Sequence, residues 1–325
     1  FYLYYGLILS AGIAGIEAIP TMTAVEAWFD RGKSTALGIA TTGMGVGGVV
    51  MAPLAGWLIS RYDWQTAFAF MAGIVILVGI PISVGIMRTP GWQTLVPGQV
   101  QQEGLEARDA TIRQVLRQKS FWLVSIGSML WLWAYLIGLT HQVAFAVDIG
   151  IDRVAAAGAV GLLCASSIPG RLGFGKLGDI MDKRYVMMMA AGLQVLAFVV
   201  LFRTTNLTML YIYSCLIGIS IGGLTPILPG LLADYFGGSH FGTIYGASGM
   251  VNTLGLMIGP VYGGWIFDTT GSYYLAFLSG IILTLLALVL VYLAPKPRLQ
   301  WHCPGGRLDN DCLVQRTENG SSRSG

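Results

Sequence analysis

Residues 166–184 read Ser166-Ser167-Ile168-Pro169-Gly170-Arg171-Leu172-Gly173-Phe174-Gly175-Lys176-Leu177-Gly178-Asp179-Ile180-Met181-Asp182-Lys183-Arg184. The stretch begins inside an apolar run, carries a full positive charge at Arg171 before that run ends, and leaves it through a short loop of mixed charge. A guanidinium at membrane depth costs about 3 kcal/mol or more unless a partner or a wet cavity compensates it, so an arginine placed there marks a functional site. The composition around it is that of a polytopic membrane protein: 54% of residues are hydrophobic and 11% are charged, against about 25% charged in soluble proteins.

Apolar runs of about 18 residues or more predict nine spans, near residues 2–28, 35–59, 65–87, 120–147, 154–178, 186–202, 207–233, 242–266 and 273–293. The quoted stretch closes the fifth. The 45 glycines are about twice the usual share, and within spans they let helix backbones approach closely. Lys and Arg fix the expected orientation. If the loop after the first span is cytoplasmic, fifteen of the nineteen lie on the inner side, Arg61, Arg153 and Arg203 lie outside, and Arg171 lies within the membrane. The positive-inside rule then places the C-terminus in the cytoplasm and the protein in a plasma or inner cell membrane.

The chain repeats itself. Pro260 follows Pro53 by 207 residues, and the same offset pairs Tyr4 with Tyr211, Gly48 with Gly255, Gly56 with Gly263 and Phe70 with Phe277. Spans one to three and seven to nine are therefore two copies of one unit, and spans four to six have no copy within the chain. Duplicated halves of six helices build many transporters. On that scheme the chain holds helices four to twelve of twelve, and the same offset leaves roughly 90 residues to precede residue 1. The expected organisation is residues 1–87 as the last three helices of a first half, 88–119 as a cytoplasmic linker, 120–294 as a complete second half and 295–325 as a disordered polar tail.

The loop Gly175-Lys176-Leu177-Gly178-Asp179, followed by Lys183-Arg184, resembles the loop signature of the major facilitator superfamily in the copy after its eighth helix, departing from it at Ile180 and Asp182. Trp28-Phe29, the basic loop Arg31-Gly32-Lys33 and Ala36-Leu37-Gly38-Ile39-Ala40 are similar to the signature of its monocarboxylate transporter and oxalate/formate antiporter branch. The resemblance implies an all-α membrane protein with the major facilitator fold. It also implies a secondary transporter of small organic anions, with monocarboxylates and proton coupling as the leading reading and exchange of the oxalate/formate kind as the alternative.

In that branch an arginine of the eighth helix, just before the signature loop, binds the substrate carboxylate, and Arg171 stands at its distance from the loop. A planar fork of donors suits a carboxylate. An acidic residue one turn earlier marks proton coupling in the animal carriers of the branch, and here Ser167 stands there. Span four carries Tyr135 and His141, and span eight carries Asn252, as further candidates for the substrate site; a His hydrogen-bonded at the membrane interface is the alternative for His141. Glu17, in the middle of span one, is the candidate proton carrier, with a protonated, hydrogen-bonded glutamate as the alternative. Gly175, Asp179, Lys183 and Arg184 form the gating loop that the resemblance implies, with Asp179 directed to the N-terminal end of span eight or to a basic group nearby and the two cations facing the cytoplasm. Pro53, Gly56, Gly259, Pro260 and Gly263 are expected to serve close helix packing.

No nucleic-acid, cofactor or metal-ligand motif is present, and a membrane enzyme would need a nucleophile–base pair or a metal cluster that the spans do not carry. A transport-like sensor on the same fold is the remaining class. The expected partners are thus a small organic anion carrying a carboxylate, protons and the lipid bilayer.

Overall fold

The computed structural model describes residues 18–29, 32–86, 112–237 and 241–297, and every regular element among them is helical. In chain order these are α1 (Ala18–Trp28), α2 (Lys33–Arg61), α3 (Trp64–Ile74), which runs on through a π-helical turn at Val75–Gly79 into α4 (Ile80–Ile86), the short α5 (Ile112–Leu116), α6 (Lys119–Asp148), α7 (Arg153–Ile180), α8 (Lys183–Phe202), α9 (Leu207–Phe236), α10 (Phe241–Thr270) and α11 (Tyr274–Leu293). Eight continuous helical stretches among the described residues are long and apolar enough to cross a membrane. The first expected span is described only over Ala18–Trp28.

Charges and caps set the ends of these helices. Asp152 accepts from the backbone N–H groups of Val154 and Ala155, Asp182 from that of Arg184, Asn206 from that of Met209 and Asp63 from that of Thr66, each satisfying donors that the first helical turn leaves unpaired. The helix ends follow the sequence repeat. Lys33, where α2 starts, moves under the 207-residue offset to position 240, beside the start of α10 at Phe241; Trp28, the end of α1, moves to 235, beside the end of α9 at Phe236. The π turn is the exception, because α11 is α-helical throughout.

Between α6 and α11 lie two buried apolar clusters. One, around Phe121, Trp131, Met187 and Phe236, fills the end of the bundle near α5; the other, around Phe145, Phe198, Tyr213 and Phe277, fills the opposite end. Near the middle the indole N–H of Trp131 donates to Gln194 Oε1, while Gln194 Nε2 donates to the carbonyl of Trp131 (3.0 Å) and to Thr284 Oγ1 (3.1 Å). This network joins α6, α8 and α11 and leaves neither the indole nor the amide nitrogen unpaired, the condition under which buried polar groups specify packing rather than weaken it. By contrast α3 and the π turn present Phe68, Phe70, Val75, Ile76, Leu77 and Val78 outward, a surface suited to lipid tails, which are as apolar as these side chains.

Candidate functional site

Arg171 is 6% exposed and sits where α7 crosses α2. Glycines of α2 make that crossing close: a methyl on Gly38 would lie 2.5 Å from the carbonyl oxygen of Arg171, and one on Gly45 would lie 2.7 Å from Ile168 Cγ1 and 3.0 Å from Arg171 Nη1. The guanidinium is therefore held against bare backbone. Its Nη1 donates to Ser167 Oγ, and the Ser167 hydroxyl donates in turn to the carbonyl of Cys164 at 2.7 Å. That second bond uses the hydroxyl proton and turns its lone pairs towards the arginine.

The opposite edge is different. Arg171 Nε is buried and has no hydrogen-bond partner, and no acid among the described residues forms an ion pair with the guanidinium. Tyr135 of α6 and Cys164 are close enough to interact with it electrostatically. Among the described residues the site thus consists of a cation without an acidic partner, with one fixed edge and one unpaired edge, beside a phenol. An arginine that has committed Nη1 elsewhere can still take a carboxylate on the Nε–Nη2 edge, the bidentate arrangement that planar anions prefer.

The other candidate residues fall in three places. His141 and Asn252 lie on the seam between α6 and α10, and neither hydrogen-bonds to Arg171. His141 Nε2 is 3.0 Å from the carbonyl oxygen of Pro260, and its ring is 5.2 Å from that of Tyr273; it fills the space that Gly263 leaves, where a methyl would meet it at 2.5 Å. The neighbouring Gly259 lies where a methyl would be 2.8 Å from Leu136 Cβ. Asn252 Oδ1 accepts from Ser128 Oγ at 2.8 Å, and Ser125 Oγ donates to Ser248 Oγ at 3.0 Å one turn away. Gly56 meets no described neighbour within 4 Å. Glu17 and the side chain of Pro53 lie outside the described residues.

At the end of the bundle that carries α5, Asp179 closes the α2–α7 crossing. Its carboxylate accepts from the backbone N–H groups of Ser34 and Thr35, both at 2.9 Å, and from Thr35 Oγ1 at 2.5 Å. It therefore caps the start of α2, span two, rather than span eight as the sequence suggested. The two ends are copies of one another under the repeat, and the choice between them depends on which copy lies across the seam, a property of tertiary placement. Gly175 permits this approach, since a methyl there would lie 2.8 Å from the Ser34 carbonyl oxygen. The two cations at this end each have a partner on the bundle. Lys183 pairs with Asp234 of α9, and Arg184 donates from Nε to the carbonyl of Val291 at 3.1 Å and lies 5.4 Å from the ring of Tyr292. Both fold back onto the bundle because it offers each a partner.

Sequence reasoning gave roles to Arg171, Asp179 and Ser167; it placed Gly45 on a packing face of span two but not beside Arg171, and gave no role to Thr35 or Asp234. The spacing of Gly38, Gly45 and Gly48 on one face of α2 was the signal available for Gly45. Among the described residues no group of three or more His, Cys, Asp or Glu is placed to hold a metal ion.

Comparison with known proteins identifies the family. The model of the Major Facilitator Superfamily matches residues 1–204 and 169–315. Monocarboxylate transporter 13 of Bos taurus is 28% identical over 87% of this chain and 67% of its own length. Monocarboxylate transporter 12 of Mus musculus is 24% identical over 98% of this chain and 72% of its own length, and the MFS transporter asaE of Aspergillus flavus is 30% identical over 86% of this chain and 63% of its own length. In structure the chain resembles the crystal structure of the transporter FucP in its outward conformation, with a TM-score of 0.64 at 17% identity, covering 86% of this chain and 72% of that one. The helices, the two repeat copies and these matches agree, and the chain belongs to the Major Facilitator Superfamily of membrane transporters.

Proposed function

We propose that this secondary transporter carries small organic anions, monocarboxylates first, by alternating access, with Arg171 as the carboxylate anchor. The observation that carries the reading is the state of that guanidinium: buried, without an acidic partner among the described residues, fixed by Ser167 on one side and unpaired at Nε on the other. A carboxylate on the unpaired edge neutralises the charge and satisfies the donor together, whereas a neutral solute does only the second. Similarity to monocarboxylate transporters 12 and 13 over most of the chain supports the same substrate class. One arginine, with no second cation beside it among the described residues, suits a monoanion better than a dianion.

Proton coupling is assigned to Glu17. Every acid among the described residues of α6 to α11 lies at or near a helix end, which leaves Glu17, in the middle of the first apolar span, as the acid whose sequence position suits a proton carrier. One observation favours the second reading, anion exchange: Arg171 is paired with a serine, and among the described residues no acid is there to take over its charge when the anion leaves. An uncompensated cation in the empty carrier opposes the return step and favours return with another anion bound.

Uptake of labelled lactate, pyruvate, formate and oxalate into proteoliposomes, with and without an inward proton gradient, tests both. Gradient-stimulated monocarboxylate uptake that Glu17→Gln abolishes supports symport. Uptake that depends on internal anion and ignores the gradient supports exchange. Absence of organic-anion flux under both conditions overturns the assignment.

A further inference from the structure

The two ends of the bundle differ in charge. Among the described residues the end with α5 carries eight Lys and Arg against four acids, and the opposite end carries three Arg against four. At the α5 end the acids with described side chains are already engaged: Asp179 on the start of α2, Asp234 on Lys183 and Asp182 on the start of α8. Four exposed cations there, Arg113, Arg117, Lys119 and Lys296, form no ion pair with any described acid.

Local bonds hold these four on one side of the bundle. Val115, fully buried in the apolar cluster, anchors α5. The Trp122 indole N–H donates to the carbonyl of Leu116 at 2.8 Å, which ties the end of α5 to the first turn of α6. Ser120 Oγ donates to the carbonyl of Pro295 at 2.5 Å, so Lys119 and Lys296, each next to one partner of that bond, lie together. The same face exposes Trp122, at 42%, and Tyr292, at 54%. Amphipathic aromatic rings of this kind settle at headgroup level, and the cations beside them lie at the depth of lipid phosphates.

We propose that this face binds the phosphate headgroups of anionic phospholipids and so ties the linker helix α5 to the leaflet that faces it. The charge calls for an anion, and the exposed aromatic rings and the position at the span ends select a lipid rather than a soluble one. Each such cation near an anionic leaflet contributes about a fivefold gain in attraction.

The test is lipid retention. The full chain and its Arg113→Gln/Arg117→Gln/Lys119→Gln/Lys296→Gln variant are reconstituted in vesicles of equimolar phosphatidylcholine and phosphatidylglycerol, extracted in mild detergent, and the retained lipids counted by native mass spectrometry. Wild type is expected to retain phosphatidylglycerol over phosphatidylcholine by about tenfold or more relative to the variant. A second variant, Arg61→Gln/Arg153→Gln/Arg203→Gln, removes charge from the opposite end and is expected to retain the wild-type preference. Equal preference in wild type and the fourfold variant overturns the proposal. So does displacement of the lipid by inorganic phosphate, which would make the face a site for soluble anions, or a change in oligomer mass in the fourfold variant, which would make it a protein interface. If the fourfold variant does not fold, the wild type alone decides: the preference must fall as salt rises from about 0.1 to about 1 M, where the screening length shrinks from about 10 to about 3 Å, and a salt-insensitive preference overturns it.

Discussion

The α2–α7 seam and the α6–α10 seam are built from the two copies of one repeat, and they behave in opposite ways. Position 45 of α2 corresponds to position 252 of α10, and position 48 to 255. In α10 the first of these is Asn252, which reaches across and is bonded by Ser128, with Ser125 and Ser248 bonded beside it and His141 against Pro260 further along. In α2 it is Gly45, which contributes no side chain and makes room for a guanidinium with an unpaired donor. One seam is joined by polar bonds along its length. Among the described residues the other is pinned at one end by Asp179 and carries in its middle a cation without an acidic partner. The difference predicts that the α6–α10 seam stays joined while the α2–α7 seam opens during transport.

The comparison breaks most readily at Arg171. Lysine keeps the charge and loses the fork, so Arg171→Lys is expected to lose most organic-anion affinity while still inserting and folding. A charge-assisted pair contributes about 1.5 to 3 kcal/mol, or roughly 10- to 150-fold; uptake kinetics at matched expression measure it, and unchanged affinity refutes the anchor. The next effect is on stability and contrasts the two copies directly. A methyl at Gly255 would meet the Met129 carbonyl oxygen at 2.3 Å, whereas one at Gly48 would meet the Cys164 sulfur at 2.8 Å. Backbone cannot turn aside and a side chain can, so Gly255→Ala is expected to destabilise the protein by about 1–3 kcal/mol and Gly48→Ala by clearly less. Thermal unfolding of both in one detergent checks this, and an equal loss would mean that the seams are equally rigid.

How much of this was legible beforehand follows from what each feature depends on. Apolar length, the 207-residue repeat and an arginine stranded in a span are properties of the chain alone, and they carried the all-α class, the spans and the position of Arg171. The partners of Asp179, Lys183 and Arg184 were not legible in that way. Each comes from an element 107 to 145 residues distant in the chain, except Asp234, which is 51 residues from Lys183, and each is fixed by how two helices are rotated about their axes, which no local pattern records. His141 stayed open between a substrate group and a hydrogen-bonded interfacial histidine for the same reason: its contacts with Pro260 and Gly263 depend on which helix lies opposite.

Two smaller effects sharpen the contrast. Asp179→Asn keeps the size of the cap but replaces one acceptor oxygen with an amide NH2 that faces the donors of Ser34 or Thr35, and a carboxylate at a helix start contributes about 0.3–1 kcal/mol. Turnover is expected to change by up to about fivefold with substrate affinity nearly constant, read as separate changes in Vmax and KM; a change confined to KM would place Asp179 in binding instead. Ser167→Ala removes the bond that orients Arg171 but not its charge, and is expected to weaken affinity by roughly two- to tenfold. Loss as large as that of Arg171→Lys would make the serine a direct substrate contact.

The π turn at Val75–Gly79 bears on anyone who would splice the two copies together. A π turn takes up one more residue than an α turn, and each residue of an α-helix advances the face by about 100°. Because α11 has no such turn, the copies match without a gap in sequence yet fall out of angular phase beyond Val75. A chimera joined at Gly73 and Gly280 would keep its reading frame and its hydropathy, and would present the wrong side of its last two turns to whatever lies beside them.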